Sequence, residues 1–506
     1  MSIGCNAFRD FNADVGGYLK KDQAWWYGAY RSTELAQQYP WLLDTAATLD
    51  ATVVTGKVTY LLSRRQKLVG YLQHETFRQS SYFTASTSQP IVTSDALQRV
   101  VFPVSVWKGE YNAAVTDAFY VEARVGGYRS DFAATFKSTD PRIADIGANT
   151  VRGGAVSQER LINRPQANGS VSFLKTGWGG SHTFRIGGEY MNDRLVAPTD
   201  GYGNPCNCVS TLNNGAPAQV QIRLGPNVSK NALTTAAGFV DDAWRLNRRV
   251  TLSLGMRLDR YQPILPEQQG PAGQTFPAID PVLTFNNWAP RVGMSADLTG
   301  DGKTVLKLHY GQFWVYPGTN FTSAFNPNPS GWSQTYAWTN DANSNGRWDP
   351  GEEGRLIAVS GGSTSTRLDP GIENTYVRQA SAYIEREVAP DVGVRTGMVL
   401  NAKRQPYGTI NVSRPLSAYS VPVAVVDPGP DGRVGSADDG GTVTAYNLTR
   451  GVFERVAREP DHEPARQQQR VLHLGDHGDE TSAHRLVVAG QLHGDVEPRG
   501  RPWDGK

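Results

Sequence analysis

Apolar and polar residues alternate with a period of two at several places along the chain, and this pattern predicts β-strands. The most regular stretch is 250–261, where Val250, Leu252, Leu254, Met256 and Leu258 alternate with polar residues or glycine. One face of this strand is therefore apolar and the other polar. Alternation alone fits a soluble sandwich, in which apolar faces meet each other, and also a membrane barrel, in which they meet lipid.

Four further segments repeat the alternation, at 119–128, 182–192, 303–312 and 376–399, the last as a hairpin. Each polar face carries charges, which a packed core does not accept without partners. A water-filled interior fits these charges better, and the pattern predicts an all-β fold with a large antiparallel transmembrane β-barrel of outer-membrane type. The charged residues expected to line its lumen are Arg124, Arg185, Glu189, Arg257 and Asp259.

Connections of two sizes separate the strands. Short turns such as 297–302 alternate with long polar segments at 192–232, 316–374 and 415–447, which we interpret as structureless loops. Loops of this length are hard to place in a compact soluble domain. Short periplasmic turns and long extracellular loops are the rule in outer-membrane barrels, so the spacing favours the membrane alternative.

The composition agrees with a β-protein. The 506 residues include 53 glycines and 30 prolines, with 10% aromatic residues and a formal net charge of +2. A near-neutral chain without a basic stripe among its aromatics is not typical of nucleic-acid binding, so no nucleic-acid partner is expected. Mean hydropathy is −0.43, and the sequence has no run of about 20 apolar residues, which excludes a helical membrane protein.

Several segments, in order, resemble the barrel of the Oar-like TonB-dependent receptors. They are DFNADVGGYLKKDQAWWYGAYR, SHTFRIGGEY, DDAWRLNRRVTLSLGMRLDRY, APRVGMSADLTGDGKTVLKLHYGQFW, INVSRP and VDPGPDGRVGSADDGG, and the resemblance covers residues 10–450. It implies an outer-membrane receptor that imports a bulky extracellular ligand, with energy passed from the TonB complex through a plug. The partners implied are outer-membrane lipid, the TonB complex and an unknown extracellular ligand.

The resemblance also implies that the barrel is incomplete. Such receptors have a leader, a plug and a barrel of about 22 strands, whereas residues 10–31 already resemble early barrel strands. We therefore expect about 14–18 strands within a partial barrel at 1–453. The first residues also lack the features of a secretory signal, so leader and plug are expected to be missing and the product to be partial or non-functional as an importer.

Residues 454–506 differ from the rest and are expected to form a non-barrel tail. Their only aromatic residue is Trp503, five of the eight histidines fall here, and the alternation stops. A shifted reading frame explains this composition, because codons can be chosen for 469–497 whose next frame encodes two alternating strands about a turn. A disordered tail is the alternative.

Two acidic loops suggest a metal site. Residues 341–352, DANSNGRWDPGE, match the calcium-loop pattern at every fixed position. The expected ligands are Asp341, Asn343, Asn345, the Arg347 carbonyl, Asp349 through water and Glu352. A solvated turn is the plain alternative. A weaker candidate in the second loop combines Asp427, Asp431, Asp438 and Asp439.

The sequence contains none of the familiar catalytic or nucleotide-binding motifs, so we do not expect an enzyme, and no cofactor beyond calcium is indicated. Cys206 and Cys208 share a Pro/Asn-rich loop that we expect to be exposed. A bridge between residues two apart is strained, so free thiols or other partners remain equally open. The alternative to an outer-membrane receptor is a secreted calcium-binding β-sandwich, such as an adhesin or sugar-binding protein.

Overall fold

A computed structural model describes residues 4–39, 41–42, 46–82, 91–154, 156–199, 201–362, 366–390, 392–411, 415–427, 429, 434–435, 437, 439–448, 470–474 and 493–494. The α-helix of this part of the chain is a single turn, α1 (Asn320–Ser323), and 3-10 turns lie at Ser94–Ala96, Pro271–Gly273 and Leu416–Ala418. Among the described residues, no helix has the length and apolar character needed to span a membrane.

Strands make up most of the described structure. In chain order they are β1 (Gly4–Lys20), β2 (Ala24–Gln38), β3 (Ala47–Ser63), β4 (Gln66–Tyr82), β5 (Ile91–Val92), β6 (Gln98–Thr116), β7 (Phe119–Phe136), β8 (Arg142–Asp145), β9 (Thr150–Arg152), β10 (Gln158–Thr176), β11 (Ser181–Thr199), β12 (Cys208–Asn213), β13 (Ala216–Arg223), β14 (Asn227–Arg245), β15 (Val250–Ile264), β16 (Gln268–Gln269), β17 (Thr275–Phe276), β18 (Phe285–Asp297), β19 (Thr304–Trp314), β20 (Ser333–Ala337), β21 (Leu356–Ser360), β22 (Thr366–Leu368), β23 (Tyr376–Ala389), β24 (Val392–Arg404), β25 (Tyr407–Asn411), β26 (Tyr419–Val426), β27 (Thr442–Leu448), β28 (Arg470–Leu474) and β29 (His493–Gly494).

The largest sheet is an antiparallel meander. Its strands follow the order β1-β2-β3-β4-β6-β7-β10-β11-β14-β15-β18-β19-β23-β24-β29, so each long strand pairs with the long strand before it in sequence. Except for the two-residue β29, its members are 11 to 19 residues long. Strands this long exceed the about 10 residues that a tilted strand needs to cross a bilayer. The predicted all-β fold with a large antiparallel sheet is confirmed.

The two faces of this sheet differ as the alternation predicts. On β15, Leu254 and Met256 lie on one face with 40% and 39% of their surface exposed. Paired residues of antiparallel strands share a face, and Met256 stands beside Val240 of β14 on this apolar face. Arg257 and Asp259 lie on the opposite, polar face. A β-sandwich buries its apolar faces between two sheets, and the exposure of Leu254 and Met256 shows no such second layer.

The connections of the meander alternate in length. Short turns join β10 to β11 at 177–180, β14 to β15 at 246–249 and β18 to β19 at 298–303. Because successive strands are antiparallel, these turns share one end of the sheet, and the long connections share the other. The turn after Asp297 is tight because this carboxylate accepts hydrogen bonds from the amides of Gly300 and Gly302, which both adopt positive φ.

The long connections are not structureless, which corrects the sequence-based expectation for 192–232 and 316–374. Strands β11 and β14 extend into the first segment, and β12, β13, β20 and β21 form within the two. These combine with strands from other long connections in a seven-stranded sheet of order β21-β20-β13-β12-β8-β9-β5, here called the loop sheet. The hairpin of β12 and β13 turns at Asn214 and Gly215, a local signal that the sequence analysis missed, whereas β8 and β20 pair with this hairpin from distant loops that no local pattern reveals.

The described chain divides into two compact units. The first holds the meander and the loop sheet. The second comprises 363–373 and 407–476, and contains a hairpin of β26 with β27 and a small sheet in the order β22-β28-β25. Most of 454–506 lies outside the described residues. Its described parts are β28 and β29, and β29 pairs with β24 over two residues. The expectation of a non-barrel tail therefore stays a prediction.

Candidate functional site

A ladder of alternating charges crosses the polar face of the meander. Lys108 and Arg124 both contact Glu110 on β6, at 3.0 and 3.4 Å. Arg124 also contacts Glu122 at 3.2 Å, and Arg185 of β11 contacts the second oxygen of Glu122 at 3.1 Å. The ladder follows from the sequence pattern. Alternation along each strand places these charged side chains on one face, and pairing of the strands brings them opposite one another.

Further along the sheet, Arg257 of β15 links two carboxylates. Its Nη2 lies 3.1 Å from Glu189 Oε2 on β11, and its Nε lies 2.8 Å from Asp259 Oδ1. The Asp259 side chain is 7% exposed and that of Arg257 21%. All five residues predicted to line a lumen therefore share the polar face, and each has an opposite charge within contact distance. The ladder also includes three residues that the sequence analysis did not name: Lys108, Glu110 and Glu122. The alternation of apolar and polar residues in 98–128 is the sequence signal that could have identified them.

The loop sheet has an apolar core of its own. This core is a cluster of six residues that are each at most 8% exposed: Ile143, Cys208, Leu212, Val220, Trp338 and Trp348. Trp338 precedes the calcium-type loop and Trp348 lies inside it near its C-terminal end. Both rings insert into the cluster, and the Trp348 amide donates to Ser210 Oγ of β12 at 3.1 Å. The loop is thereby attached to the loop sheet at both ends. An aromatic residue inside an otherwise polar loop was the sequence signal for this anchoring.

Within 341–352 the predicted ligands make hydrogen bonds to one another and to the backbone of the loop. Asp341 accepts hydrogen bonds from the amides of Asn345 at 3.1 Å and Gly346 at 2.7 Å. The side-chain amides of Asn343 and Asn345 both donate to Asp349 Oδ2 at 2.8 Å, which lowers the pKa of Asp349. Glu352 accepts from the Ala342 amide at 3.0 Å and from Trp338 Nε1 at 3.2 Å. The Arg347 side chain is exposed and its own amide donates to Asn345 Oδ1.

Among the described residues, no group of three or more His, Cys, Asp or Glu side chains is arranged to hold a metal ion. In the loop 341–352 the carboxylates do not point toward a common centre, because they accept hydrogen bonds from backbone and side-chain amide N–H groups. In the weaker loop, Asp427 accepts from the Gly429 amide and Asp439 from the Gly435 amide. Asp431 and Asp438 lie outside the described residues.

Cys206 and Cys208 are joined by a disulfide. Cys208 is fully buried in the core of the loop sheet, which corrects the expectation of an exposed loop. The physical reason is that this loop packs against other loops rather than projecting singly into solvent.

Comparison with known proteins identifies the same architecture. A family model described as an outer membrane beta barrel domain matches residues 45–451. The TonB-dependent transporter Oar of Myxococcus xanthus is 25% identical over 204 residues, which cover 34% of this chain and 18% of that protein.

Two solved structures extend the likeness over most of the described fold. The outer membrane transporter YddB of Escherichia coli gives a TM-score of 0.56 at 12% identity, covering 87% of this chain and 50% of that one. The siderophore receptor PirA of Acinetobacter baumannii gives 0.52 at 10% identity, covering 87% and 55%. The chain thus spans about half the length of these solved structures, and at such low identity the likeness concerns the fold.

Proposed function

Because the chain belongs to the outer membrane β-barrel family, and so to the cell outer membrane, we propose that it forms the wall and extracellular loops of a TonB-dependent receptor that binds and takes up a bulky ligand. The apolar face of the meander meets lipid, and the charged ladder faces the lumen. The observation that supports a receptor most directly is the loop sheet. Long connections that fold together with their own core provide a preformed surface for ligand recognition at the extracellular end.

The soluble sandwich alternative is wrong, because the fold is that of an outer-membrane barrel and its apolar strand faces are exposed. The transporter relatives point away from enzymatic activity. Uptake requires a plug as well as the barrel wall, because TonB acts through the plug. Uptake is therefore proposed for the receptor as a whole.

The test is TonB-dependent uptake by intact cells. Ferric siderophores are the first probes, because the solved structures that resemble this chain include a siderophore receptor. Replacing 333–360 by a short Gly/Ser linker should abolish uptake while the barrel still resists unfolding in detergent gels. Replacing the turn 298–303 at the opposite end should leave uptake unchanged. Uptake that is equal with and without TonB would refute the receptor proposal.

We also propose that 341–352 binds Ca²⁺ and stiffens the loop sheet. Rotation of the Asn343 and Asn345 side-chain amides would turn their oxygens, in place of their N–H groups, toward Asp349 and add to the oxygen ligands that Ca²⁺ prefers. The anchoring of Trp338 and Trp348 supports this, because it holds both ends of the loop together.

Protection from trypsin tests the calcium proposal. Cleavage after Arg347 in the refolded chain should slow at least tenfold with Ca²⁺, because a bound ion closes the exposed loop around this bond. Cleavage after the exposed Arg355, just beyond the loop, serves as internal control. Glu352→Gln should remove the protection. Equal cleavage after Arg347 with and without Ca²⁺ would leave a plain turn as the correct interpretation.

A further inference from the structure

The connection between β19 and β20 begins with a segment that folds onto the polar face of the meander. This segment, Tyr316–Trp332, is here called the strap. It covers wall residues of β14, β15 and β18 that would otherwise line the lumen. Among them Asn231, Leu233, Tyr261 and Phe285 are each at most 6% exposed. By contrast, Arg185 and Lys307, which the strap does not cover, have side chains 46% and 47% exposed.

The C-terminal half of the strap is fixed by many polar contacts. Asn326 Nδ2 lies within 3.3 Å of Ser229 Oγ, the Lys230 carbonyl and Asn231 Oδ1. Asn328, fully buried, donates to the carbonyls of Val228 and Gln269 at 2.9 and 3.1 Å. Trp332 Nε1 donates in turn to Asn328 Oδ1 at 2.7 Å. Buried amides that are this fully satisfied are costly to detach.

The N-terminal half is fixed differently. Tyr316 donates its hydroxyl to Asp193 Oδ2 of β11 at 2.8 Å, and its ring meets Tyr261 edge-on at 5.9 Å. Arg164 Nη2 donates to the same oxygen at 2.9 Å. Asp193 is 1% exposed, yet its Oδ1 has no hydrogen-bond partner in the structure, and neither has Arg164 Nε. Burying the Asp193 carboxylate with an oxygen that has no hydrogen-bond partner is unfavourable even beside the partly exposed Arg164, and opening the strap would let water reach that oxygen.

We propose that the contact between Tyr316 and Asp193 is a latch, and that the N-terminal half of the strap opens there while the C-terminal half stays attached. Gly318, at φ +67°, lies between the latch and α1 and allows the change of direction that this motion requires. Opening uncovers Asp193, Tyr261 and Phe285, which form a wall patch with the partly exposed Arg164. This patch offers a carboxylate, a guanidinium and two aromatic rings to a polar aromatic ligand in the lumen. The binding of a ligand to this patch rests on the proposed function, whereas the latch itself concerns packing within this chain and is tested separately.

Cysteine accessibility tests the latch in the refolded chain. With Cys5→Ser as background, Thr322→Cys places a thiol at a fully buried strap position, and Ser323→Cys gives an exposed reference. We expect Thr322→Cys to react with a bulky maleimide far more slowly than the reference. Adding Tyr316→Phe or Asp193→Asn should raise its rate on the order of tenfold, because a hydrogen bond to a charged group is lost. Tyr310→Phe, on the apolar face, should have no effect.

A second reporter separates a hinged opening from general loosening. Ser333→Cys, 5% exposed beyond the C-terminal end of the strap, should stay protected when Tyr316→Phe is added. If both reporters gain reactivity equally, the strap moves as one body and the hinge is wrong. If Tyr316→Phe and Asp193→Asn leave Thr322→Cys protected, the contact is no latch. Reaction of Thr322→Cys at the reference rate in the parent chain would show that the strap is not closed at all.

Discussion

On β15, Arg257 is the residue that neutralises the carboxylates of the polar face. It neutralises Glu189 and the nearly buried Asp259, so its loss leaves two carboxylates without a cation. We expect Arg257→Met to lower the free energy of unfolding by about 1.5–3 kcal/mol, the range of hydrogen bonds to charged groups. Urea unfolding of the refolded chain in detergent measures this.

Arg129 provides the matched control for Arg257. It contacts Asp131 at 3.1 Å, but its side chain is 67% exposed, so Arg129→Met should cost about 0–1 kcal/mol. Equal losses for the two variants would contradict the assignment of Arg257 to the interior face.

Asp145 joins two turns of the loop sheet. Its carboxylate accepts hydrogen bonds from the amides of Ala148 and Gly147, and from those of Gly215 and Asn214. These backbone donors, Ala148 foremost, lower the pKa of Asp145. The ionised Asp145 carboxylate therefore stabilises the folded loop sheet fully at pH values above its unfolded-state pKa. This stabilisation is lost as the pH falls through the lower folded-state pKa.

The protection factors of the amides in 146–149 and 213–215, taken relative to the intrinsic exchange rate at each pH, should therefore fall on acidification below about pH 4. Asp145→Ala should show low protection factors at every pH, because it removes the acceptor. Asp117→Ala, whose side chain is 94% exposed in the turn between β6 and β7, should change nothing in the loop sheet. Unchanged exchange in Asp145→Ala would show that the turns hold without this carboxylate.

At the scale of elements, β15 tests the assignment of faces with adjacent residues. Leu254 lies on the apolar face of β15, and Ser253 lies exposed on the polar face. Leu254→Arg should destabilise the refolded barrel by about 2–4 kcal/mol, because a charge faces lipid. Ser253→Arg should cost less than about 1 kcal/mol, since it adds a charge to the aqueous side. The opposite order would mean that the register of β15 is shifted by one residue.

At the scale of the whole molecule, the long and short connections should lie on opposite sides of the membrane. Trypsin added to intact cells should cleave after Arg355 of the loop sheet and spare Arg248 and Lys303, which lie in short turns. Permeabilised cells should lose this distinction. Cleavage after Lys303 in intact cells would reverse the orientation.

How far the sequence predicts the fold can be seen on particular elements. It predicted the faces of β15, because the two-residue period of a strand assigns every side chain to lipid or water. The charges at Arg124, Arg185 and Arg257 identified the aqueous face for the same reason. It missed the loop sheet, since β8 pairs in parallel with β12 more than sixty residues later, and no local period records such a pairing.

The sequence alone thus determined the class of fold, the two faces of the long strands and the alternation of short and long connections, all of which follow from local periodicity. Only the tertiary structure decided which charges meet, that Cys208 is buried, and that the strap lies on the wall through Tyr316 and Asp193, residues 123 positions apart. These features depend on side chains brought together by chain reversals. Their free energies come from contacts and burial that no stretch of sequence contains by itself.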